Sequence, residues 1–367
     1  MARINVTQSS MPKLEEYVEE IRTLWDSRWL SNRGEKSKRF EELLKEYLSV
    51  DSVALFANGH VALEVAIDSF DLKKGGEVIT TPYTHVSTTH AIIRNGLTPV
   101  FCDISSENYC IDPELIEGLI TDKTVAIMGT HVYGELCDVD KIDKIAKKYD
   151  LKVFYDAAHA FGVRHKGEGI GRFGDFAMFS SHATKVFQTI EGGIVCFGNQ
   201  QVYSKIDKLT NFGFDGPEQV VYISTNARMN EFEAAMGICN LAHISEEIEK
   251  RKKVDERYRR NLEGIKGIRM IQPNMDNTRN YSYMPVFFDG YKYDRNDVQA
   301  RLADENIFAR KYFYPLTSEL DCYKGNFISS VNDTPNAKWA AEHVLSLPMY
   351  SDLGMDDVDR ICGIILG

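Results

Sequence analysis

The chain has 367 residues, of which 43% are hydrophobic, so it is long enough for one large domain with a sizeable core and a smaller second domain. Its 43 basic and 54 acidic side chains give a net charge of −11, which disfavours nucleic-acid binding because proteins that bind phosphate backbones carry excess Lys and Arg. A local basic pocket for a phosphorylated small molecule remains open. No run approaches the roughly 20 apolar residues of a membrane span, and the amino terminus lacks a signal-peptide pattern. We expect a cytoplasmic protein without membrane insertion.

The cysteines and histidines give no sign of a disulfide framework or a metal site. The seven cysteines are odd in number and have no Cys-x-x-Cys spacing. This predicts reduced, mostly buried thiols. The nine histidines are scattered without metal-ligand spacing.

The first 240 residues alternate short apolar runs with amphipathic stretches. This alternation predicts βα units on a mostly parallel sheet that is covered by helices on both faces, in one large αβα domain over residues 1–240. The predicted helices are 14–25, 38–48, 60–70, 113–120 and 139–149, and the predicted strands are 53–57, 77–80, 98–102, 125–128, 152–155, 175–180 and 194–197.

A long helix over residues 229–262 follows, and its charged run at 246–260 is typical of a solvated helix face. We expect the second domain to begin along this helix. It covers 241–367 and contains a strand at 283–288 and a helix at 294–305, which makes it a smaller α+β unit.

An acid and an amine stand at the ends of two predicted strands. Asp156 follows the strand at 152–155, and Lys185 follows the strand at 175–180. Open α/β sheets place their ligands at the carboxyl ends of strands, so the two side chains are predicted to face one pocket. In pyridoxal-phosphate (PLP) enzymes a lysine holds the cofactor aldehyde and an aspartate keeps the pyridine nitrogen protonated. The alternative is a surface lysine and an aspartate that caps a turn.

A second pattern suits the phosphate of such a cofactor. The strand at 53–57 leads through Asn58 and Gly59 into the helix that starts at His60. A strand, a glycine turn and a helix amino terminus together present unpaired backbone N–H groups and a positive dipole end. Many such turns bind nothing, so this pattern has little weight alone.

Four sequence motifs resemble those of the sugar aminotransferases of the DegT/DnrJ/EryC1/StrS family, which belong to the fold-type I PLP enzymes. They are Asp-Ala-Ala-His-Ala (156–160), Gly-Asp-Phe-Ala-Met-Phe-Ser-Ser-His-Ala-Thr-Lys (174–185), Glu-Gly-Gly (191–193) and Leu-Pro-Met-Tyr-Ser-Asp-Leu (347–353). The resemblance implies the fold-type I α/β architecture, with PLP as cofactor and pyridoxamine 5'-phosphate as its amino-carrying form.

The resemblance also implies roles for particular residues. Lys185 and Asp156 are the expected catalytic residues, and the expected cofactor-binding residues are Asn58, Gly59, His60, His85, Asp156, His159, Ser180, Lys185 and Asn226. His60 stands where the family has Thr or Ser, and His85 stands where it has an aromatic ring that stacks on the cofactor. The residue matching Asn226 reaches the phosphate of the neighbouring subunit, which implies a homodimer with shared active sites. The alternative for Asn226 is a helix cap.

The substrate-binding residues implied by the family are Trp29, Ser31, Asn32, Glu191, Lys311 and Tyr312. In the family's substrate-binding region a His is common at the position of Thr317, so this chain departs from the family pattern there. The expected amino donor is L-glutamate, and the expected acceptor is a nucleotide-linked keto sugar. Lys185 favours transamination, since family members that dehydrate sugars carry His at this position.

The motif at 181–193 resembles that of family members that aminate C4 of a 4-keto-6-deoxyglucose. It reads Ser-His-Ala-Thr-Lys-Val-Phe-Gln-Thr-Ile-Glu-Gly-Gly. The expected product is dTDP-4-amino-4,6-dideoxy-D-glucose for bacterial surface polysaccharides such as the O-antigen of lipopolysaccharide. The alternatives are the galacto epimer, amination at C3, a GDP-linked substrate and, from a different class, an idle PLP-containing sensor.

Overall fold

The structure is a computed structural model that describes residues 3–198, 200–323 and 333–367. Its strands are β1 Ile4–Asn5, β2 Ser52–Phe56, β3 Glu77–Thr80, β4 Thr98–Phe101, β5 Thr124–Thr130, β6 Lys152–Asp156, β7 Arg164–His165, β8 Glu168–Gly169, β9 Phe176–Ser180, β10 Gly193–Phe197, β11 Ile268–Met270, β12 Met284–Phe288, β13 Ile307–Phe308 and β14 Val344–Leu347. Its helices are α1 Leu14–Ile21, α2 Thr23–Ser27, α3 Glu35–Leu48, α4 Gly59–Asp68, α5 Val86–Arg94, α6 Pro113–Ile116, α7 Val139–Tyr149, α8 Gln200–Leu209, α9 Glu231–Leu262, α10 Arg295–Asp304, α11 Pro335–His343 and α12 Met355–Leu366.

A seven-stranded sheet forms the centre of the molecule, in the order β2-β10-β9-β6-β5-β3-β4. Strand β10 is antiparallel to both of its neighbours, while the other paired strands run parallel. The carboxyl ends of β6 and β9 therefore lie side by side at one edge. The predicted mostly parallel mixed sheet is confirmed.

Both faces of this sheet are buried, because successive side chains on each strand point to opposite sides. On β6, Val153 and Tyr155 join the core under α3 and α7, whereas Phe154 joins the core under α4, α5 and α8. Phe154 stacks on Phe176 of β9 at 4.5 Å between ring centroids. The result is the predicted three-layer αβα arrangement.

A second core surrounds the sheet β11-β12-β14 together with α10, α12 and the end of α9. Strand β1 pairs in parallel with β13, so Ile4 packs in this second core although it lies at the start of the chain. The predicted boundary at residues 240 and 241 falls inside the continuous helix α9, and the division there remains our proposal. Within the described ranges, no helix combines the length and the hydropathy that a membrane span needs.

Several local features differ from the prediction. Helix α3 starts at Glu35 instead of residue 38, because the buried Glu231 carboxylate accepts hydrogen bonds from the Gly34 and Lys36 amides at 3.0 and 2.7 Å. This contact also ties the loop before α3 to the start of α9. Helices α5, α8, α11 and α12 were not predicted.

Candidate active site

Asp156 is the last residue of β6, and its buried carboxylate accepts two hydrogen bonds. The Thr88 hydroxyl donates to Oδ2 at 2.7 Å, and the Ala158 backbone N–H donates to Oδ1 at 3.1 Å. Each oxygen thus has one donor and keeps lone pairs for a further partner. A buried charge needs such partners, so the carboxylate is held in place with capacity left for a ligand.

Three buried threonines form a hydroxyl chain that leads to Asp156. Thr130 donates to Thr84 at 3.2 Å, and the Thr84 and Thr88 hydroxyls lie 2.8 Å apart. Because Thr88 uses its proton on Asp156, it accepts from Thr84. Every proton in the chain therefore points toward the carboxylate.

Lys185 stands in the loop between β9 and β10, and its backbone N–H donates to the His182 carbonyl at 2.9 Å. Desolvation in the pocket lowers the pKa of its amine, while the negative charge of Asp156 opposes that shift. The Nζ atom lies 6.0 Å from the centroid of the Tyr283 ring. A lysine with a lowered pKa is a better nucleophile and base near neutral pH.

The lysine loop, residues 181–192, is closed at its base by hydrogen bonds. The Ser181 N–H donates to the Gly192 carbonyl at 2.9 Å, and the Thr189 N–H donates to the Ser181 carbonyl at 2.8 Å. The Ser181 and Thr189 hydroxyls also pair at 2.7 Å. A Cβ on Gly192 would collide with both hydroxyls, so this position requires glycine. The loop therefore presents Lys185 from a rigid frame.

The turn before α4 forms a cradle beside Ser180. The Asn58 side chain caps the helix by accepting from the Val61 N–H at 2.9 Å. A Cβ built on Gly59 would lie 3.1 Å from the Ser180 Cβ and 3.3 Å from its Oγ, so the bare backbone there faces the serine closely. His60 Nε2 lies 3.0 Å from Glu64, while its buried Nδ1 has no hydrogen-bond partner in the described structure.

Two histidines occupy positions where the chain was expected to contact a cofactor ring. His85 is the exposed N-cap of α5, and its Nδ1 accepts from the Ser87 N–H at 3.2 Å. His159 is buried, and its Nδ1 accepts from the Tyr133 N–H at 3.1 Å, so in the neutral ring the proton sits on Nε2. Burial lowers the pKa of His159 well below its ordinary value, and the Lys185 charge adds to this effect.

A cavity of about 420 Å³ brings most of the predicted residues together. The predicted residues that line it are Asn58, Gly59, His60, His85, Asp156, His159, Ser180, Lys185, Glu191 and Tyr312. The cavity is thus lined by residues that follow or end four strands, by the lysine loop and by the second part of the chain.

The other predicted residues lie away from this cavity in the single chain. Trp29, Ser31 and Asn32 are exposed in the loop before α3. Asn226 is exposed and accepts a hydrogen bond from Arg228 at 3.0 Å. The Lys311 amine donates to Asn296 at 2.5 Å. Their predicted roles remain proposals.

Several residues that line or support the site were not predicted to do so, among them Thr84, Thr88, Thr130, His182, Tyr283 and Phe313. Phe313 stacks in parallel with His159 at 5.8 Å between ring centroids. Thr130 ends β5, Thr88 lies in α5 and Thr84 lies in the loop before α5. Their burial, which marks them as part of the site, is not visible in the sequence alone.

The chain is similar to known proteins over almost its whole length. Residues 13–366 match the DegT/DnrJ/EryC1/StrS aminotransferase family. The chain is 42% identical over 366 residues to a dTDP-4-amino-4,6-dideoxy-D-glucose transaminase of Escherichia coli, covering 99% of this chain and 98% of that protein. It is 40% identical over 363 residues to the enzyme of the same name from Shigella dysenteriae, covering 99% and 98%. The crystal structure of DesI with its TDP-sugar product superimposes with a TM-score of 0.93 at 32% identity, covering 99% of this chain and 92% of that one.

Proposed function

The chain belongs to the DegT/DnrJ/EryC1/StrS aminotransferase family, and we propose that it transfers the amino group of L-glutamate to C4 of dTDP-4-keto-6-deoxy-D-glucose. The product is then dTDP-4-amino-4,6-dideoxy-D-glucose. The observation that carries the proposal is that Asp156 and Lys185 face one cavity in a chain 40 to 42% identical to two transaminases named for that sugar.

The residues present fit PLP. The cradle of Gly59 and Ser180, where a Cβ would press on the serine, suits the phosphate. The buried Asp156 carboxylate keeps lone pairs for a protonated ring nitrogen. His159, with its proton on Nε2, offers a donor to a phenolic oxygen. Lys185 would hold the cofactor, and His85 lies where the family stacks a ring.

When bound, PLP supplies an electron sink that lets a proton leave the carbon bearing the substrate nitrogen. Lys185 then moves that proton, since its amine lies in the cavity and its pKa is lowered by desolvation. Asp156 holds a positive charge on the ring nitrogen by its own negative charge. The rigid lysine loop keeps the amine at the reacting carbon through both half-reactions.

We further propose a homodimer with shared active sites. Asn226 and the loop with Trp29, Ser31 and Asn32 are exposed in the single chain, as expected if they serve a neighbouring subunit. Large apolar side chains are also exposed nearby in the chain, with Trp25 at 66% and Ile223 fully exposed. Exposed apolar surface of this kind marks an interaction face.

We place the reaction in the cytoplasm, where reduced thiols persist, since all seven cysteines are free. We assign the product to surface polysaccharides such as the O-antigen of lipopolysaccharide, by resemblance alone. The galacto epimer would arise at the same residues if the sugar lay the other way round in the cavity. A C3 amine would need a 3-keto sugar, and a GDP-linked product would need a substrate with a different nucleotide.

A spectroscopic experiment tests the proposal. The protein loaded with PLP is titrated with L-glutamate, and borohydride reduction followed by peptide mass spectrometry locates the attachment. The proposal predicts loss of the cofactor colour with glutamate and a label on Lys185. A protein that binds PLP but keeps its colour with glutamate would be a sensor instead.

A further inference from the structure

His182 and Glu191 stand near opposite ends of the lysine loop, and both line the cavity together with Lys185. The backbone pairing of Ser181 with Gly192 brings the two ends side by side. The proposed transamination assigns no role to His182. It stands three residues before Lys185 and lines the same cavity as the amine that would act on the substrate carbon.

The structure determines which nitrogen of His182 can donate. The Thr184 backbone N–H donates to Nδ1 at 3.2 Å, and the Thr184 hydroxyl lies 2.8 Å from the same atom. Since Nδ1 accepts, the neutral ring carries its proton on Nε2. His182 therefore offers one donor, and its direction is set by the loop backbone.

The His182 Nε2–H group faces the Glu191 carboxylate but does not form an ordinary hydrogen bond with it. His182 Nε2 and Glu191 Oε1 are 3.5 Å apart, longer than an ordinary hydrogen bond. The two side chains are 44% and 49% exposed, so ligand can reach them. A hydroxyl group can accept from Nε2–H and donate its own proton to Oε1, whereas a carboxylate or a carbonyl can do only the first.

We propose that His182 and Glu191 together bind a hydroxyl of the keto sugar beside the carbon that receives the amine. This inference rests on the proposed function and names how its acceptor is recognised. In a 4-keto-6-deoxyglucose the carbonyl carbon has two ring neighbours, C3 with a hydroxyl and C5 with a methyl group. The C3 hydroxyl is therefore the group that this pair selects.

The same pair disfavours a dicarboxylate at this position. Glu191 adds a negative charge to this wall of the cavity, and Glu233 lies near enough to sense it, since the pKa of Glu233 is raised by burial and by Glu191. Like charges repel, so the carboxylates of the amino donor bind elsewhere. The pair thus serves the sugar half of the reaction.

The test measures the two half-reactions separately by stopped-flow absorbance. One mixes the PLP-loaded protein with L-glutamate, and the other mixes the pyridoxamine form with dTDP-4-keto-6-deoxyglucose. His182→Ala raises the half-saturating sugar concentration about tenfold, equivalent to about 1.4 kcal/mol, and leaves the glutamate half-reaction unchanged. His182→Gln keeps a donor near the Nε2 position and restores most of the affinity.

His243→Ala is the matched control. His243 pairs with Glu16 at 2.8 Å, and the side chains are 42% and 37% exposed, but neither residue lines the cavity. Both half-reactions of this variant match the wild type. An equal loss in the glutamate half-reaction of His182→Ala would overturn the inference, since it would show that His182 supports the loop rather than the sugar.

A 3-deoxy analogue of the sugar completes the cycle. The wild type loses about tenfold in affinity for the analogue, and His182→Ala loses nothing further, because the contact is already absent. Additive losses contradict the inference. If glutamate removes the colour of the wild type but neither sugar restores it, the proposed substrate is wrong, and the inference falls with it for that separate reason.

Discussion

The Thr88 hydroxyl donates to the Asp156 carboxylate at 2.7 Å, and Thr84 and Thr130 stand behind it in one oriented chain. All four side chains are buried. Helix α5 and strand β5 therefore act together to hold the acid at the end of β6. This contact fixes the orientation of the carboxylate that we propose pairs with the ring nitrogen of PLP.

Thr88→Val tests that contact. It leaves a buried charged oxygen without its donor, which costs about 1.5 to 3 kcal/mol and weakens PLP binding by tenfold or more. Thr84→Val has a smaller effect, since Thr84 does not touch the carboxylate. Fluorescence titration with PLP measures both affinities, and the pH dependence of the bound cofactor's absorbance shifts only where Asp156 is disturbed.

The control for this pair is Thr89→Val. Thr89 is equally buried in α5 but donates to Thr317 at 3.2 Å. The variant is expected to lose stability and to keep the wild-type absorbance profile. An unchanged profile in Thr88→Val would show that the threonine chain does not orient Asp156.

Gly59→Ala probes the phosphate cradle. The added Cβ would lie 3.1 Å from the Ser180 Cβ, so the serine must shift away from the helix terminus. We expect PLP affinity to fall about tenfold in calorimetric titrations. Gly118→Ala is the matched control, because a Cβ there meets no atom within 4 Å. Equal affinities in the two variants would place the phosphate elsewhere.

The lowered pKa of Lys185 predicts that its amine reacts at lower pH than an ordinary surface lysine in the cofactor-free protein. Acylation with a small reagent over a pH series, read by peptide mass spectrometry, should show a midpoint below the ordinary value of about 10.4. Asp156→Asn removes the charge that raises this pKa, so the midpoint moves lower still. Lys148, whose pKa is raised by its ion pair with Glu117, is the internal reference and should react at higher pH. A Lys185 that titrates with Lys148 refutes the prediction.

The lowered pKa of His159 predicts how the free energy of unfolding depends on pH. Its pKa lies well below the unfolded value of about 6.5, so the unfolded state binds the extra proton first. The contribution of His159 to the free energy of unfolding is fully present above about pH 6.5. Below that pH the contribution falls, by up to about 1.4 kcal/mol per pH unit. Denaturant melts of the cofactor-free protein should therefore show a shallower acid loss in His159→Gln than in the wild type. Parallel curves for the two proteins would contradict this.

Local patterns were sufficient to predict the residues at strand ends. Asp156 and Ser180 end β6 and β9, and both strands show the short apolar run of a buried parallel strand. The glycine turn before α4 was equally visible. These predictions depended on neighbours in sequence, and the resemblance then gave them a chemical meaning.

The residues that were missed come together only through the tertiary fold. Thr88 and Thr89 are adjacent and both buried, yet only Thr88 meets Asp156, because the rotation of α5 against the sheet decides it. Tyr283 and Phe313 line the cavity from the second part of the chain, and no local sequence pattern indicates that they reach it. The same holds for Glu231, which caps α3 from a distant helix.

The proposed amination at C4 is tested by an NMR assignment of the product that the PLP-loaded protein forms from L-glutamate and dTDP-4-keto-6-deoxy-D-glucose. We expect a new amine at C4 in the equatorial position, with 2-oxoglutarate released in equal amount. An amine at C3, an axial C4 amine, or no amino sugar at all from a protein that glutamate still decolours would contradict it.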